Sequence, residues 1–210
     1  MSKFPARSVL VLFAHPALEK SRANRQLVRA PQRLEGVTFH DLYETYPEFD
    51  VDPEREQALL LEHDVIVMQH PMYWYSTPAI LKQWADLVLE HGWAYGKGGD
   101  ALAGKRFISA ITTGGPESSY QHDGFHGRTI IELLAPLAQT AKLCKMVCLP
   151  PFVTFGTHRM DETEVERHVL EYEKLLVALR DDRMNIEKLV KDRPINASLR
   201  AALEETQDAR

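Results

Sequence analysis

The chain has 210 residues, 44% hydrophobic and 26% charged, and its 25 basic against 30 acidic side chains leave a formal charge of −5. This is the composition of a soluble globular protein long enough to bury a full core, and its negative balance argues against a general affinity for nucleic acid or an anionic membrane surface. No apolar run approaches the roughly 18 residues that span a bilayer, the first apolar stretch is too short for a secretion signal, and two cysteines, Cys144 and Cys148, exclude a disulfide framework and a cysteine-only zinc site. A reducing cytosol is the simplest compartment.

In chain order, Val9–Ala14 is a continuous apolar run and reads as a strand buried on both faces. A short polar helix over Ser21–Arg29 is expected to stop before Pro31. Val37–Leu42 alternates as a second strand, and Pro53 opens a helix at a position where its missing N–H costs nothing. Val65–Met68 is a third buried strand. The helix after it, Pro78–Glu90, carries Ile80, Leu81, Trp84, Leu87 and Val88 on one face. Arg106–Thr112 is a fourth strand. Thr129–Leu143 is a helix that Pro136 is expected to kink, with Ile130, Leu133, Leu134, Leu137 and Ala141 inward. Met146–Leu149 is a fifth strand, stopped by Pro150 and Pro151. Asp161 and Glu164 form a capping box for a last long helix with Val165, Val169, Tyr172, Leu176 and Leu179 inward. Residues 181–210 turn highly charged and read as a peripheral helix, an extended arm or a disordered end rather than a second domain. Strands alternating with helices in this way predict an α/β domain over residues 1–180, a doubly wound parallel sheet with helices on both faces.

Ligands of such sheets bind at the carboxyl ends of the strands, and three loops there are unusual. The first holds His15, Ser21 and Asn24 before a helix N-terminus, which suits a phosphate; equally, Ser21 is an ordinary helix cap and His15 a brace. No Walker or G-x-G-x-x-G pattern is present. The second holds Tyr73, Trp74 and Tyr75 in a row, either as stacking surfaces for a planar heterocycle or as a plug over the next helix. The third presents Thr112, Thr113, Gly114 and Gly115, then Tyr120, His122 and His126, offering backbone donors and proton-exchanging side chains; the alternative is a flexible loop with incidental histidines. Together the loops describe a site for a flat, phosphorylated cofactor. Cys144 and Cys148 read as buried packing, and no histidine has partners at metal spacing.

The strings AHPALEKSRAN (14–24), QHPMYWYSTPAILKQWAD (69–86), HGWAYGKGG (91–99), TTGGPES (112–118) and LPPF (149–152) resemble the flavodoxin-like NAD(P)H:quinone oxidoreductases over about residues 8–180. They look closest to the small bacterial branch that includes ancillary subunits of glutathione-gated potassium-efflux systems. The resemblance implies a five-stranded sheet of order 2-1-3-4-5. It implies FMN, with FAD as the alternative. The flavin phosphate would be held by His15, Ser21, Arg22, Ala23 and Asn24, the ring by Pro71, Met72, Tyr73 and Trp74, and its polar edge by Thr112, Thr113, Gly114 and Gly115. Tyr120 and His126 match the spacing of a catalytic Tyr–His pair in larger relatives. Trp93 and Tyr95 would roof the flavin of a partner subunit, implying a homodimer. The implied activity is two-electron, ping-pong hydride transfer from NADH or NADPH through the flavin to a quinone or similar acceptor. The alternative is a regulatory subunit docked on a membrane potassium-efflux transporter, cytoplasmic and peripheral at the inner face of the membrane. Residues 181–210 are expected to be dispensable for flavin binding.

Overall fold

Two continuous apolar runs, an alternating segment and a mostly apolar one give the sheet its four long strands. In the computed structural model, which describes residues 6–204, β1 (Val9–Phe13), β2 (Val37–Asp41), β3 (Val65–Pro71) and β4 (Arg106–Thr112) lie parallel in the order β2-β1-β3-β4. Two short strands, β5 (Val147–Cys148) and β6 (Phe152–Thr154), share the edge beyond β4. The order is the expected 2-1-3-4-5, with the fifth position built in two pieces. Pro150 and Pro151 have no N–H for a ladder, so β5 pairs with Arg106 and Phe107, the chain bends past the prolines, and β6 resumes at Ala110–Thr112. The prolines interrupt the edge strand rather than ending it, which corrects the sequence reading.

Side chains of β1 alternate between two cores, as a period of two requires. Val9 and Val11 join the core under α1 (Arg22–Leu27), α2 (Arg29–Arg33) and α8 (Glu162–Arg180). Leu10 and Leu12 join the core under α3 (Leu42–Thr45), α4 (Pro53–Leu61), α5 (Ala79–Val88) and α7 (Ala135–Leu143). The capping box of α8 is present, with Asp161 accepting from the Glu164 N–H and the Glu164 carboxylate from the Asp161 N–H.

Several boundaries differ from the sequence reading. Pro31 does not end helical structure: the chain breaks at Val28, and Pro31 falls in the first turn of α2, where no intrahelical partner needs its N–H. Pro136 stands at the start of α7, so the expected kinked helix is two helices, α6 (Ile130–Leu133) and α7. β3 runs to Pro71, carrying Gln69 and His70 into the sheet. Leu87 is 40% exposed rather than inward, and Cys148 is exposed while Cys144 is buried. Cys148 lies on the two-residue β5 at the sheet edge.

Beyond α8 the chain is a packed arm. Met184, Leu189, Ile195, Leu199 and Ala202 join the α8-side core, and within the described residues the arm runs into α9 (Leu199–Glu204). Asp182 anchors its start through Arg7 at 3.1 Å and Arg106 at 2.7 Å.

A buried carboxylate ties the other layer together. Glu56 of α4 has no exposed surface; its Oε1 lies 2.8 Å from His40 Nε2 and accepts from Tyr46 OH at 2.7 Å, and its Oε2 accepts from Trp84 Nε1 at 2.8 Å. Burial pushes the Glu56 pKa up, but the bonds from His40, Tyr46 and Trp84 outweigh it and hold the carboxyl below its ordinary range.

Candidate functional site

The carboxyl ends of β1, β3 and β4 open into one cavity of 420 Å³, within the about 300–1,000 Å³ usual for small-ligand sites. Ser21 caps α1, and its Oγ accepts from the Asn24 backbone N–H at 3.2 Å and from Asn24 Nδ2 at 3.0 Å. Both hydroxyl lone pairs are occupied, so Ser21 is left with its hydrogen to donate. Asn24 Nδ2 also donates to Thr112 Oγ1 at 3.0 Å, which ties the first loop to the third. Arg22 and Ala23 occupy the first helical positions, whose N–H groups have no intrahelical acceptor. One arm of the Arg22 guanidinium is held by the Met160 carbonyl at 2.7 Å.

His15 Nδ1 accepts the Ala17 N–H at 3.1 Å, and burial lowers its pKa. The ring is therefore neutral near pH 7, with its proton on Nε2 as a donor.

The third loop contributes backbone. The Thr113 N–H donates to Thr154 O at 3.0 Å, the Thr157 N–H to Thr113 O at 3.0 Å and the Gly156 N–H to Gly115 O at 2.8 Å. The N–H groups of Gly114 and Gly115 make no bond among the described residues. At Gly114 a Cβ would come within 2.4 Å of His158 Nε2, so glycine is what lets His158 close the cavity wall.

The lining brings together His15, Ser21, Arg22, Ala23, Asn24, Pro71, Met72, Tyr73, Thr112, Thr113 and Gly114, and adds Ala17, Lys20, Thr157 and His158. These four carry no sequence signal of their own; Thr157 and His158 arrive from β6, the strand the two prolines concealed. The lining contains two cations, Lys20 and Arg22, and no carboxylate.

Trp74 and Gly115 do not line the cavity. Tyr73, Trp74 and Tyr75 are 40%, 94% and 51% exposed, which removes the plug reading. Trp74 and Tyr75 take φ of 51° and 62° in a turn closed by reciprocal Tyr73–Ser76 backbone bonds of 3.1 and 2.9 Å. Two successive left-handed aromatic residues are uncommon, and such strain concentrates at functional sites. Gly115 stands at the cavity's edge, where a Cβ would meet Tyr120 Cε2 at 3.4 Å and His126 Nε2 at 3.7 Å. The Tyr120 and His126 rings are 4.5 Å apart, and Tyr75 OH lies 3.4 Å from His126 Nδ1. Burial raises the Tyr120 pKa, so its phenol keeps its proton. His122 lies apart, exposed and 3.7 Å from Glu132.

Trp93 and Tyr95 line no part of this cavity within their own chain. They pack half-buried on the α5-side core, and Tyr95 also borders a separate, apolar groove of 420 Å³ between α5 and α7, with Leu89, Leu133 and Leu137.

The model of a family with a flavodoxin-like fold matches residues 7–176. The glutathione-regulated potassium-efflux system ancillary protein KefG of Serratia proteamaculans is 49% identical over 164 residues, 78% of this chain and 90% of that protein. Among solved structures, general stress protein 14 of Treponema denticola in complex with FMN is 39% identical at a TM-score of 0.79, over 82% of this chain and 99% of the other. An NADPH-quinone reductase from P. pentosaceus is 32% identical at a TM-score of 0.73, over 80% and 96%.

Proposed function

The chain belongs to the family with a flavodoxin-like fold, and from that premise we propose that the cavity holds FMN and that the protein is a flavin-dependent NAD(P)H:quinone oxidoreductase. One observation carries the reading: in a chain of net charge −5, the cavity at the strand ends is lined by Lys20, Arg22 and neutral donors without a carboxylate. Such a lining favours a phosphate-bearing ligand. The FMN complex of the T. denticola relative supports the choice of ligand.

The donors suit the group. His15 Nε2, the Ser21 hydroxyl, the Arg22 and Ala23 N–H groups and the cations Lys20 and Arg22 would hold the phosphate. Pro71, Met72 and Tyr73 would lie along the ring, with Trp74 as an outer lip. Thr112, Thr113, Gly114 and Gly115 would face the ring's polar edge, and the bond-free N–H groups of Gly114 and Gly115 are preorganised donors for negative charge there. When bound, the flavin supplies two-electron hydride exchange between a nicotinamide donor and a quinone-like acceptor, in ping-pong order. Tyr120, its phenol protonated, would hold a proton at this edge of the cavity, and His126, packed between the Tyr120 and Tyr75 rings, would orient it.

The active form would be a homodimer in which Trp93 and Tyr95 roof the partner's cavity; Trp74 and Phe125, 94% and 89% exposed at its rim, and the apolar groove beside Tyr95 support this. A cytoplasmic location goes with the reading. A second role, as an ancillary subunit at a potassium-efflux transporter, is favoured by the name of the S. proteamaculans relative and is compatible with turnover.

The test is the visible spectrum of the purified protein with FMN or FAD, then with NADH or NADPH and a benzoquinone. A bound yellow chromophore bleached by a nicotinamide and recoloured by quinone is expected. Protein that binds neither flavin refutes the reading. Co-purification with transporter-bearing membranes tests the second role.

A further inference from the structure

The arm after α8 lies beyond residue 176, where the family match ends, yet it bonds directly to the strand that feeds the cavity. β6 has a strand partner, β4, on one side only. On its open side the Val153 N–H donates to Asn196 Oδ1 at 2.8 Å, and the Ile195 N–H donates to the Pro151 carbonyl at 2.8 Å. Residues 195–196 thus satisfy the edge as a neighbouring strand would. Ile195 is fully buried in the core that holds Phe152, whose ring stacks on Tyr172 at 5.2 Å.

β6 passes straight into the cavity wall. Thr154 O takes the Thr113 N–H, Thr157 takes the Thr113 carbonyl twice, through its N–H at 3.0 Å and its Oγ1 at 3.1 Å, and the Gly156 N–H takes the Gly115 carbonyl. His158 then packs where a Gly114 side chain would stand. The backbone donors of 113–115 are therefore held on one side by β4 and on the other by a segment whose outer edge is held by the arm.

We infer that the C-terminal arm is a positioning element of the cofactor cavity, and that Asn196 is its positioning residue: by fixing β6 it fixes residues 154–158 and, through them, the 113–115 donors. The sequence alone reads the arm as dispensable for cofactor binding; the bonds at Val153 and Pro151 support the opposite expectation. The hydrogen bond of Asn196 is to the β6 backbone, so it acts through β6. The inference rests on the flavin reading for its binding arm but not for its exchange arm.

The experiment compares full-length wild type with N196A and N196D, measuring FMN affinity by flavin fluorescence and amide hydrogen exchange without FMN. N196A removes the acceptor; N196D keeps an oxygen there and serves as the rescue. E56Q, which removes the acceptor of Trp84 in the α4–α5 layer on the other face of the sheet, controls for general loss of stability. The expected result is faster exchange at Val153, Thr113, Gly156 and Thr157 in N196A, with FMN affinity lowered about tenfold. N196D should stay within about threefold of wild type, and E56Q should lower the melting temperature without changing FMN affinity. Faster exchange at Val153 alone, with Thr113, Gly156 and Thr157 still protected and FMN affinity unchanged, overturns the inference: the arm would then only cover the edge. An equal loss of affinity in E56Q also overturns it. Should wild type bind no flavin, the flavin reading fails on its own, and exchange at Thr113, Gly156 and Thr157 decides the positioning role. Should N196A not fold, N196Q, which displaces the acceptor by one methylene, is read the same way.

Discussion

Replacing Glu56 with glutamine tests whether the buried carboxylate holds the α4–α5 layer to the sheet. Three donors converge on it: His40 Nε2 and Tyr46 OH at Oε1, and Trp84 Nε1 at Oε2. In E56Q the amide oxygen can serve His40 and Tyr46, which leaves the new NH2 facing the Trp84 indole N–H across 2.8 Å. Two donors then oppose each other, and a buried indole N–H left without an acceptor costs about 1–3 kcal/mol. The other two bonds lose their charge assistance, which roughly halves them. The sum is about 3–4 kcal/mol. For a chain of this length that corresponds to a fall in melting temperature of about 10 °C. Thermal and urea unfolding at pH 7, followed by circular dichroism, measures it. The sign of the pH effect follows from the lowered pKa. The folded carboxyl titrates below its unfolded value of 4.5, so its contribution is complete above that pH and drains away as the pH falls through the folded value. The deficit of E56Q should therefore shrink in acid. A loss under about 1 kcal/mol at pH 7 refutes the reasoning and would mean that water replaces the lost acceptor.

Three further predictions concern the site and its floor. S21A removes a donor that Asn24 aims outward; FMN affinity should fall about tenfold while riboflavin, which lacks the phosphate, binds as in wild type, and equal losses for both would contradict the phosphate assignment. G114A places a methyl against His158; FMN binding should weaken with little change in melting temperature, and the double variant G114A/H158A should recover it, so a double variant worse than G114A would count against the packing argument. His70 is fully buried and its pKa is pushed down to about 4 by burial. Its neutral folded form makes stability complete above the unfolded value of 6.5 and progressively lost as the pH falls towards 4, by about 3 kcal/mol. H70Q should flatten that window, and an unchanged slope between pH 6.5 and 4 in urea titrations would disprove it.

Local periodicity is written directly in the chain. Continuous apolar runs at 9–13 and 65–68 declare strands buried on both faces, the mostly apolar 106–112 a fourth strand, the 3.6-residue stripes of α5 and α8 declare helices, and Asp161–Glu164 marks where α8 begins. Loops at three strand ends follow from that alternation, so the neighbourhood of the site was legible before its geometry. Prolines misled, because a proline reports only a missing N–H and a fixed φ. Whether it ends a strand, interrupts it or opens a helix depends on what lies beside it, and Pro31, Pro136 and Pro150–Pro151 resolve three different ways. Tertiary structure alone decided the rest. His158 and Asn196 reach their places from segments distant in sequence, and Ser21 becomes a donor only because Asn24 occupies both of its lone pairs. Trp74 is thrown into solvent by a turn that its own composition does not announce. Such features depend on which groups meet across the fold, and contacts between remote segments leave no periodicity in the chain that forms them.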